Sequence, residues 1–267
     1  MAKLVLVTGA SSGIGEAAAK LYGKEGAKVL LLARNRKRLD RVAAAIREGG
    51  GEAAAYPVDL ADAAAIDETS ARILREQGTP DVLINNAGAG SWKRLLDTTA
   101  EEALAMIEVP YLAAFNLTRA LLPGMIARKS GAIANISSPA SYLVWPNATA
   151  YIAARHAMRG FAEALRADLK GTGVTVTLVV LGTVEIPYWE NNPGSRENVP
   201  VPNPRLAPTL SSDEAAQVIH DAVERGRRTV FKPAILRALV LLNAIAPRLV
   251  AKQLRRSIPK RDAEGAG

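Results

Sequence analysis

Short runs of Val, Leu and Ile alternate along most of the chain with longer stretches in which apolar residues recur at helical spacing. The runs predict strands near Leu4–Val7, Val29–Ala33, Ala53–Pro57, Val82–Asn85, Gly131–Ile136 and Thr175–Leu181. The longer stretches predict helices opening near Gly13, Lys37, Ala61, Ala100 and Tyr151. A further helix, Asp213–Arg225, has Ser211 or Ser212 as its N-cap. Strand and helix in repeated alternation is the pattern of βαβ units. The expected fold class is therefore α/β, a doubly wound, Rossmann-like parallel sheet in a single domain with helices on both faces.

Two segments break this rhythm. Pro187–Leu210 is rich in Pro, Asn and Ser, too irregular for a strand or a long helix and too long for an ordinary connection, so residues 187–210 are expected to form a lid or substrate loop. Pro233–Arg256 reads as one or two amphipathic helices interrupted at Pro247. The chain then divides into a domain of residues 1–230 and a helical extension of residues 231–267. The extension's apolar run falls well short of the roughly 20 residues a membrane span needs. Two uses stay open for it: packing onto the domain or a neighbouring subunit, or peripheral docking on an anionic membrane surface.

Composition narrows the chemistry. Cysteine is absent and the histidines are only His156 and His220, which excludes disulfides, thiolate catalysis and a cysteine-ligated metal and argues against any metal centre. Met1-Ala2-Lys3 leads directly into the first strand, so no secretory signal is expected and the expected compartment is cytoplasmic. The net charge is +8, but from Arg225 to Gly267 eleven Lys and Arg face only Asp262 and Glu264. The basicity belongs to the C-terminal end, and no nucleic-acid partner is expected.

Thr8-Gly9-Ala10-Ser11-Ser12-Gly13-Ile14-Gly15 lies between the first strand and the first helix. Glycines there let the backbone turn sharply and approach a pyrophosphate, whose charge is favoured by the amides of a helix N-terminus. A tight turn is the plainer alternative for the glycines alone. At the end of the second strand Ala33 and Arg34 stand where a carboxylate would bind the ribose hydroxyls of NAD. A 2′-phosphate would meet a guanidinium instead, so NADP(H) is expected over NAD(H), with Arg38 as a second contact. A solvated basic turn, with Arg36 and Lys37, is the alternative. Asp59-Leu60 follows the third strand and Asn85-Asn86-Ala87-Gly88 the fourth.

Asn135-Ile136-Ser137-Ser138 closes the fifth strand, thirteen residues before Tyr151. A serine at a strand end and a tyrosine opening a helix can converge on one carbonyl oxygen, the serine polarising it and the tyrosine donating a proton. The mundane alternative is a tyrosine that only packs.

In this order the motifs resemble the short-chain dehydrogenase/reductase family, closely over residues 3–187 and more loosely to about Arg225. The resemblance implies an oxidoreductase that moves hydride between NADP(H) and a carbonyl or alcohol. It assigns Ser138, Tyr151 and Arg155 to catalysis. To the cofactor it assigns Gly9, Ser11, Ser12, Gly13, Ile14 and Gly15, Arg34 and Arg38, Asp59 and Leu60, then Asn86, Ala87 and Gly88, together with Tyr151, Arg155, Gly182 and Val184. It also implies a homodimer or homotetramer formed through the helices that open near Ala100 and Tyr151.

Several positions depart from the family pattern. Arg155 stands where Tyr-x-x-x-Lys places lysine, on the same helix face as Tyr151. Arginine keeps the cation, but its planar fork bonds in a different geometry. Pro110 occupies the position of an asparagine that holds a relay water, and proline offers neither a polar side chain nor an amide hydrogen. The usual Pro-Gly is Leu181-Gly182, and Ile186 replaces a threonine. Two functional readings follow: an enzyme with an impaired proton relay, or a non-catalytic NADP-binding protein acting as sensor or scaffold. Tyr142, Trp145, Tyr188 and Trp189 flank the expected cleft and point either to an apolar substrate or to packing under the lid.

Overall fold

A computed structural model describes residues 2–88, 90–186, 195, 198–200 and 203–257. Among them, β1 (Leu4–Thr8), β2 (Lys28–Ala33), β3 (Glu52–Pro57), β4 (Val82–Asn85), β5 (Gly131–Ser137), β6 (Val174–Leu181) and β7 (Thr229–Lys232) form one parallel sheet. Their spatial order is 3-2-1-4-5-6-7. The order reverses between β1 and β4, where connections leave toward opposite faces and a crevice opens at the strand ends. Val5, Leu6, Val7, Leu83 and Ile84 are fully buried, which is why these strands read as unbroken apolar runs instead of alternating ones.

Two cores hold the layers together. On one face α1 (Gly13–Lys24), α2 (Arg36–Glu48) and α7 (Ser212–Glu224) pack through Ala18, Tyr22, Leu39, Val42 and Ile219. On the other, α3 (Ala63–Glu76), α5 (Ala113–Ala127) and α6 (Thr149–Asp168) pack through Ile66, Ile73, Leu117, Leu121 and Met158. The choice between Ser211 and Ser212 as N-cap of α7 falls to Ser211. Its hydroxyl accepts from the Glu214 amide at 3.1 Å, and the Glu214 carboxylate accepts from the Ser211 amide at 2.8 Å.

Three features differ from the sequence pattern. The edge strand β7 was not expected: it has four residues, partly exposed and flanked by basic side chains, and so carries too short a periodicity to read. It also runs across the expected division at residue 230. The helix expected from Ala100 is interrupted, with α4 (Ala100–Ile107) passing through a wide turn, Glu108–Leu112, before α5 begins. Pro110 lies buried inside that turn, where its missing amide hydrogen removes the bond a regular helix would make to Met106.

The C-terminal extension forms α8 (Ile235–Ile245) and α9 (Pro247–Arg256), separated at Pro247 as the sequence suggests. Val250 and Leu254 of α9 are buried against Leu143, with Trp145 and Leu239 beside them. The extension is thereby packed onto the domain. Among the described residues no helix is long and apolar enough to cross a membrane.

Candidate active site

The crevice between β1 and β4 is built by glycines and one threonine. Gly9 has φ +66°, and a Cβ on it would sit 3.0 Å from the Ala87 Cα, so the first loop and the loop after β4 approach backbone to backbone. The Thr8 hydroxyl accepts from the amides of Asn86 and Ala87, each at 2.9 Å, and the Asn86 side chain donates to the Thr8 carbonyl at 3.0 Å. Asn85 ties β4 to β5 by donating to Asn135 Oδ1 at 2.9 Å. Gly15 differs from the other glycines of the motif, because it does not line the crevice. A Cβ there would fall 2.3 Å from the Gly9 carbonyl oxygen, so it lets α1 pack directly beneath the turn.

The groove fits an anionic dinucleotide. Gly9, Ser11, Ser12, Gly13 and Ile14 line it at the start of α1, and the Ser12 side chain makes no capping bond, leaving the helix amides for an anion. Arg34 and Arg38 stand at its far end, both exposed and neither in an ion pair among the described residues, whereas their neighbours Arg36 and Arg41 are held by Asp40 and Glu16. Asp59, Leu60, Asn86, Ala87 and Gly88 complete the wall, and Gly182 and Val184 line the opposite end beside Tyr151. Ile186 lies against the glycine loop, its Cγ2 being 3.0 Å from where a Gly13 Cβ would stand. An apolar branch thus occupies the position at which the family pattern has a hydroxyl.

At that opposite end the Tyr151 hydroxyl donates to Ser138 Oγ at 3.1 Å, and Ser138 Oγ also accepts from the Ala140 amide at 3.2 Å. Ser138 directly follows β5 and caps a short turn, while Tyr151 lies in the first turn of α6, which places both beyond the carboxyl end of an interior strand. The Arg155 guanidinium lies over the face of the Tyr151 ring, 4.9 Å from its centroid. Its Nη2 is 3.1 Å from the position of a Gly88 Cβ, its Nε is buried without a hydrogen-bond partner, and it makes no ion pair among the described residues. The expectation of a cation beside Tyr151 is met at the ring face; no bond joins it to the hydroxyl.

Ser138 and Tyr151 open into a cavity of about 1390 Å³ that is continuous with the groove beside the glycine turn. Trp92 stacks on Tyr151 at 5.6 Å between ring centroids and meets Trp145 at 6.0 Å. The sequence reading missed Trp92, whose context, a lone tryptophan after Asn85-Asn86-Ala87-Gly88, carries no motif. It is pinned by the loop after β6: its amide donates to Ser195 Oγ at 3.1 Å, and Asn198 donates to its carbonyl at 2.9 Å. Both ends of that loop are joined by the bridge between Val184 and Leu210. Tyr142 does not line the cavity, contrary to expectation; its ring is sandwiched by Phe231 and the Arg159 guanidinium. Tyr188 and Trp189 lie outside the described residues.

The other wall that the sequence did not announce comes from the extension. Leu236, Leu239 and Leu242 of α8 and Leu254 of α9 face the cavity. Gly182 leaves room for the entry to this wall: a Cβ there would stand only 3.0 Å from Pro233 Cδ, while Leu236 at 3.6 Å would be in ordinary contact.

Comparison with known proteins agrees with this architecture. The family description of short chain dehydrogenases matches residues 3–196. Dehydrogenase/reductase SDR family member 7B of Rattus norvegicus is 34% identical over 256 residues, covering 92% of this chain and 78% of the rat protein. A fatty acyl-CoA reductase of Acinetobacter baylyi is 37% identical over 233 residues, covering 85% and 75% respectively. The solved structure of a short-chain dehydrogenase from Sphingobium yanoikuyae in complex with NADPH matches with a TM-score of 0.80 at 26% identity, over 99% of this chain and 98% of that one. With its 3-2-1-4-5-6-7 sheet, its glycine turn at the switch point and its Ser138–Tyr151 pair, the chain belongs to the short-chain dehydrogenase/reductase family of oxidoreductases.

Proposed function

We propose that this chain is an NADP(H)-dependent oxidoreductase that interconverts a carbonyl and an alcohol on an apolar small molecule. The observation that carries the reading is the 3.1 Å hydrogen bond between Tyr151 and Ser138, set where an apolar cavity meets a groove ending in two arginines that make no ion pair among the described residues. Bound nicotinamide supplies or accepts the hydride. Ser138 and Tyr151 hold the substrate oxygen, Ser138 by hydrogen bonding and Tyr151 as the acid that donates its proton when the carbonyl is reduced. Arg155 anchors the ribose side of the site and keeps a positive charge against the tyrosine ring. Arg34 and Arg38 favour a 2′-phosphate, hence NADP(H) over NAD(H). Trp92, Trp145 and the leucines of α8 exclude water from the substrate side. The complex of the Sphingobium relative with NADPH and the fatty acyl-CoA reductase of Acinetobacter support the cofactor and the apolar substrate.

A second reading, an NADP-binding sensor or scaffold, is favoured by one observation. Pro110 is buried in the wide turn and has no polar side chain to hold a relay water, and among the described residues Arg155 makes no hydrogen bond or ion pair that would take the relay's place. The two readings separate in an NADPH-oxidation assay against a panel of apolar aldehydes and ketones, comparing the natural chain with Arg155→Lys/Pro110→Asn. The enzyme reading expects turnover by both, faster in the double variant. Turnover by the double variant alone supports the scaffold. The homo-oligomer expected of the family, and the cytoplasm as its place, belong to the same proposal.

A further inference from the structure

The last two helices carry a surface that none of the described residues covers. Ala238, Leu241, Leu242 and Ile245 recur at intervals of three and four along α8 and so share one face. Leu241 is 58% exposed, Ile245 83%, and Leu249 at the start of α9 67%. The same helices bury Leu236, Val250 and Leu254, so they are fixed to the domain with an apolar edge toward solvent.

The charge around this edge has one sign. From Lys232 to Arg256 there are six Lys and Arg and no acidic residue. Arg237, Arg248, Lys252, Arg255 and Arg256 are all exposed, and none makes an ion pair among the described residues. A second copy of the chain laid on this face would bring the same cations against themselves. A surface that is apolar within and negative at its boundary matches both features at once, and that is an anionic lipid bilayer.

The cavity reaches this edge. Leu242 lines it and also lines the smaller hollow between α8 and α9 that Leu249, Lys252 and Arg256 enclose. We infer that the exposed face of α8 and α9 docks on an anionic bilayer, and that the cavity takes its carbonyl substrate from the lipid phase. The second half rests on the function proposed above; the first does not.

The test is co-sedimentation of the full chain with phosphatidylcholine vesicles, with and without roughly 30% phosphatidylglycerol. The natural chain binds the anionic vesicles and leaves the neutral ones. Ile245→Glu/Leu249→Glu abolishes binding, and Arg248→Ser/Lys252→Ser weakens it about 30-fold, at ~5-fold for each cation lost near the surface. NADPH binding, unchanged in both variants, certifies the fold. No binding by the natural chain overturns the docking face, as does equal binding by Ile245→Glu/Leu249→Glu. An oligomer that this variant splits, without vesicle binding by the natural chain, shows instead a contact between copies. For the lipid route, a long-chain aldehyde dissolved in anionic vesicles is reduced faster than in neutral ones by the natural chain but not by Ile245→Glu/Leu249→Glu. Equal rates in both vesicle types overturn that half, while failure to reduce any carbonyl overturns the enzyme reading and leaves the binding result standing.

Discussion

The Tyr151 hydroxyl spends its hydrogen bond on Ser138, while its ring is covered on one side by Trp92 and approached by the guanidinium of Arg155. The ring is thus held by its faces, and the hydroxyl meets only Ser138 among the described residues.

Tyr151→Phe keeps the ring and its neighbours but removes the proton. Carbonyl reduction should fall by about 10²- to 10⁴-fold, the usual worth of a general acid, with NADPH affinity little changed. Steady-state NADPH oxidation together with fluorescence titration of the cofactor checks this, and an unaltered rate would remove Tyr151 from catalysis.

Arg34 directly follows β2 and has no carboxylate partner among the described residues. Replacing it with alanine should weaken NADP(H) relative to NAD(H) by about 10- to 100-fold, the value of one charge-assisted phosphate contact. Titration with both cofactors reads the ratio. A ratio unmoved in Arg34→Ala and in Arg34→Ala/Arg38→Ala would make this turn merely solvated.

Gly15→Ala places a methyl group 2.3 Å from a backbone carbonyl that cannot turn away. Overpacking of this kind costs about 1–3 kcal/mol. A lower thermal midpoint accompanied by weakened cofactor binding is expected, because the displaced atom belongs to Gly9 in the phosphate turn. A melting curve identical to that of the natural chain would show that α1 can slide to make room.

Tyr22 is buried between α1 and α7 with its hydroxyl unpartnered. Burial, followed by the nearby carboxylates of Glu224 and Glu25, pushes its pKa well above the ordinary value. The folded chain then holds a proton that the unfolded chain releases above about pH 10, so stability falls as pH rises past that point. Tyr22→Phe should change stability at neutral pH by only a few tenths of a kcal/mol yet flatten the alkaline decline, as urea unfolding at pH 8 and 10.5 would register. An alkaline slope shared by both chains would assign the loss to other groups.

The sequence made the interior strands legible because parallel strands buried on both faces are apolar through their middles, as residues 5–7, 29–32 and 82–84 are. It made the groove legible because close backbone approach demands glycine at Gly9 and uncompensated charge demands a residue such as Arg34. It did not reveal β7, whose edge position needs no long apolar run. Trp92 and the leucines of α8 were hidden for a different reason. They act by proximity across the fold, to Tyr151 in one case and to Gly182 in the other, and no local spacing records a contact of that range. Tyr142, for which the sequence left substrate contact and packing both open, packs: its ring meets Phe231 and the Arg159 guanidinium.

With no side chain at Gly182, Pro233 can lie close against the end of β6 and lead a terminal appendage over the cavity. On the function proposed above, recognition of what enters falls to the last helices, while proton and hydride chemistry stays with residues fixed by the sheet. A lineage could exchange that appendage and acquire a new preference without disturbing the reaction.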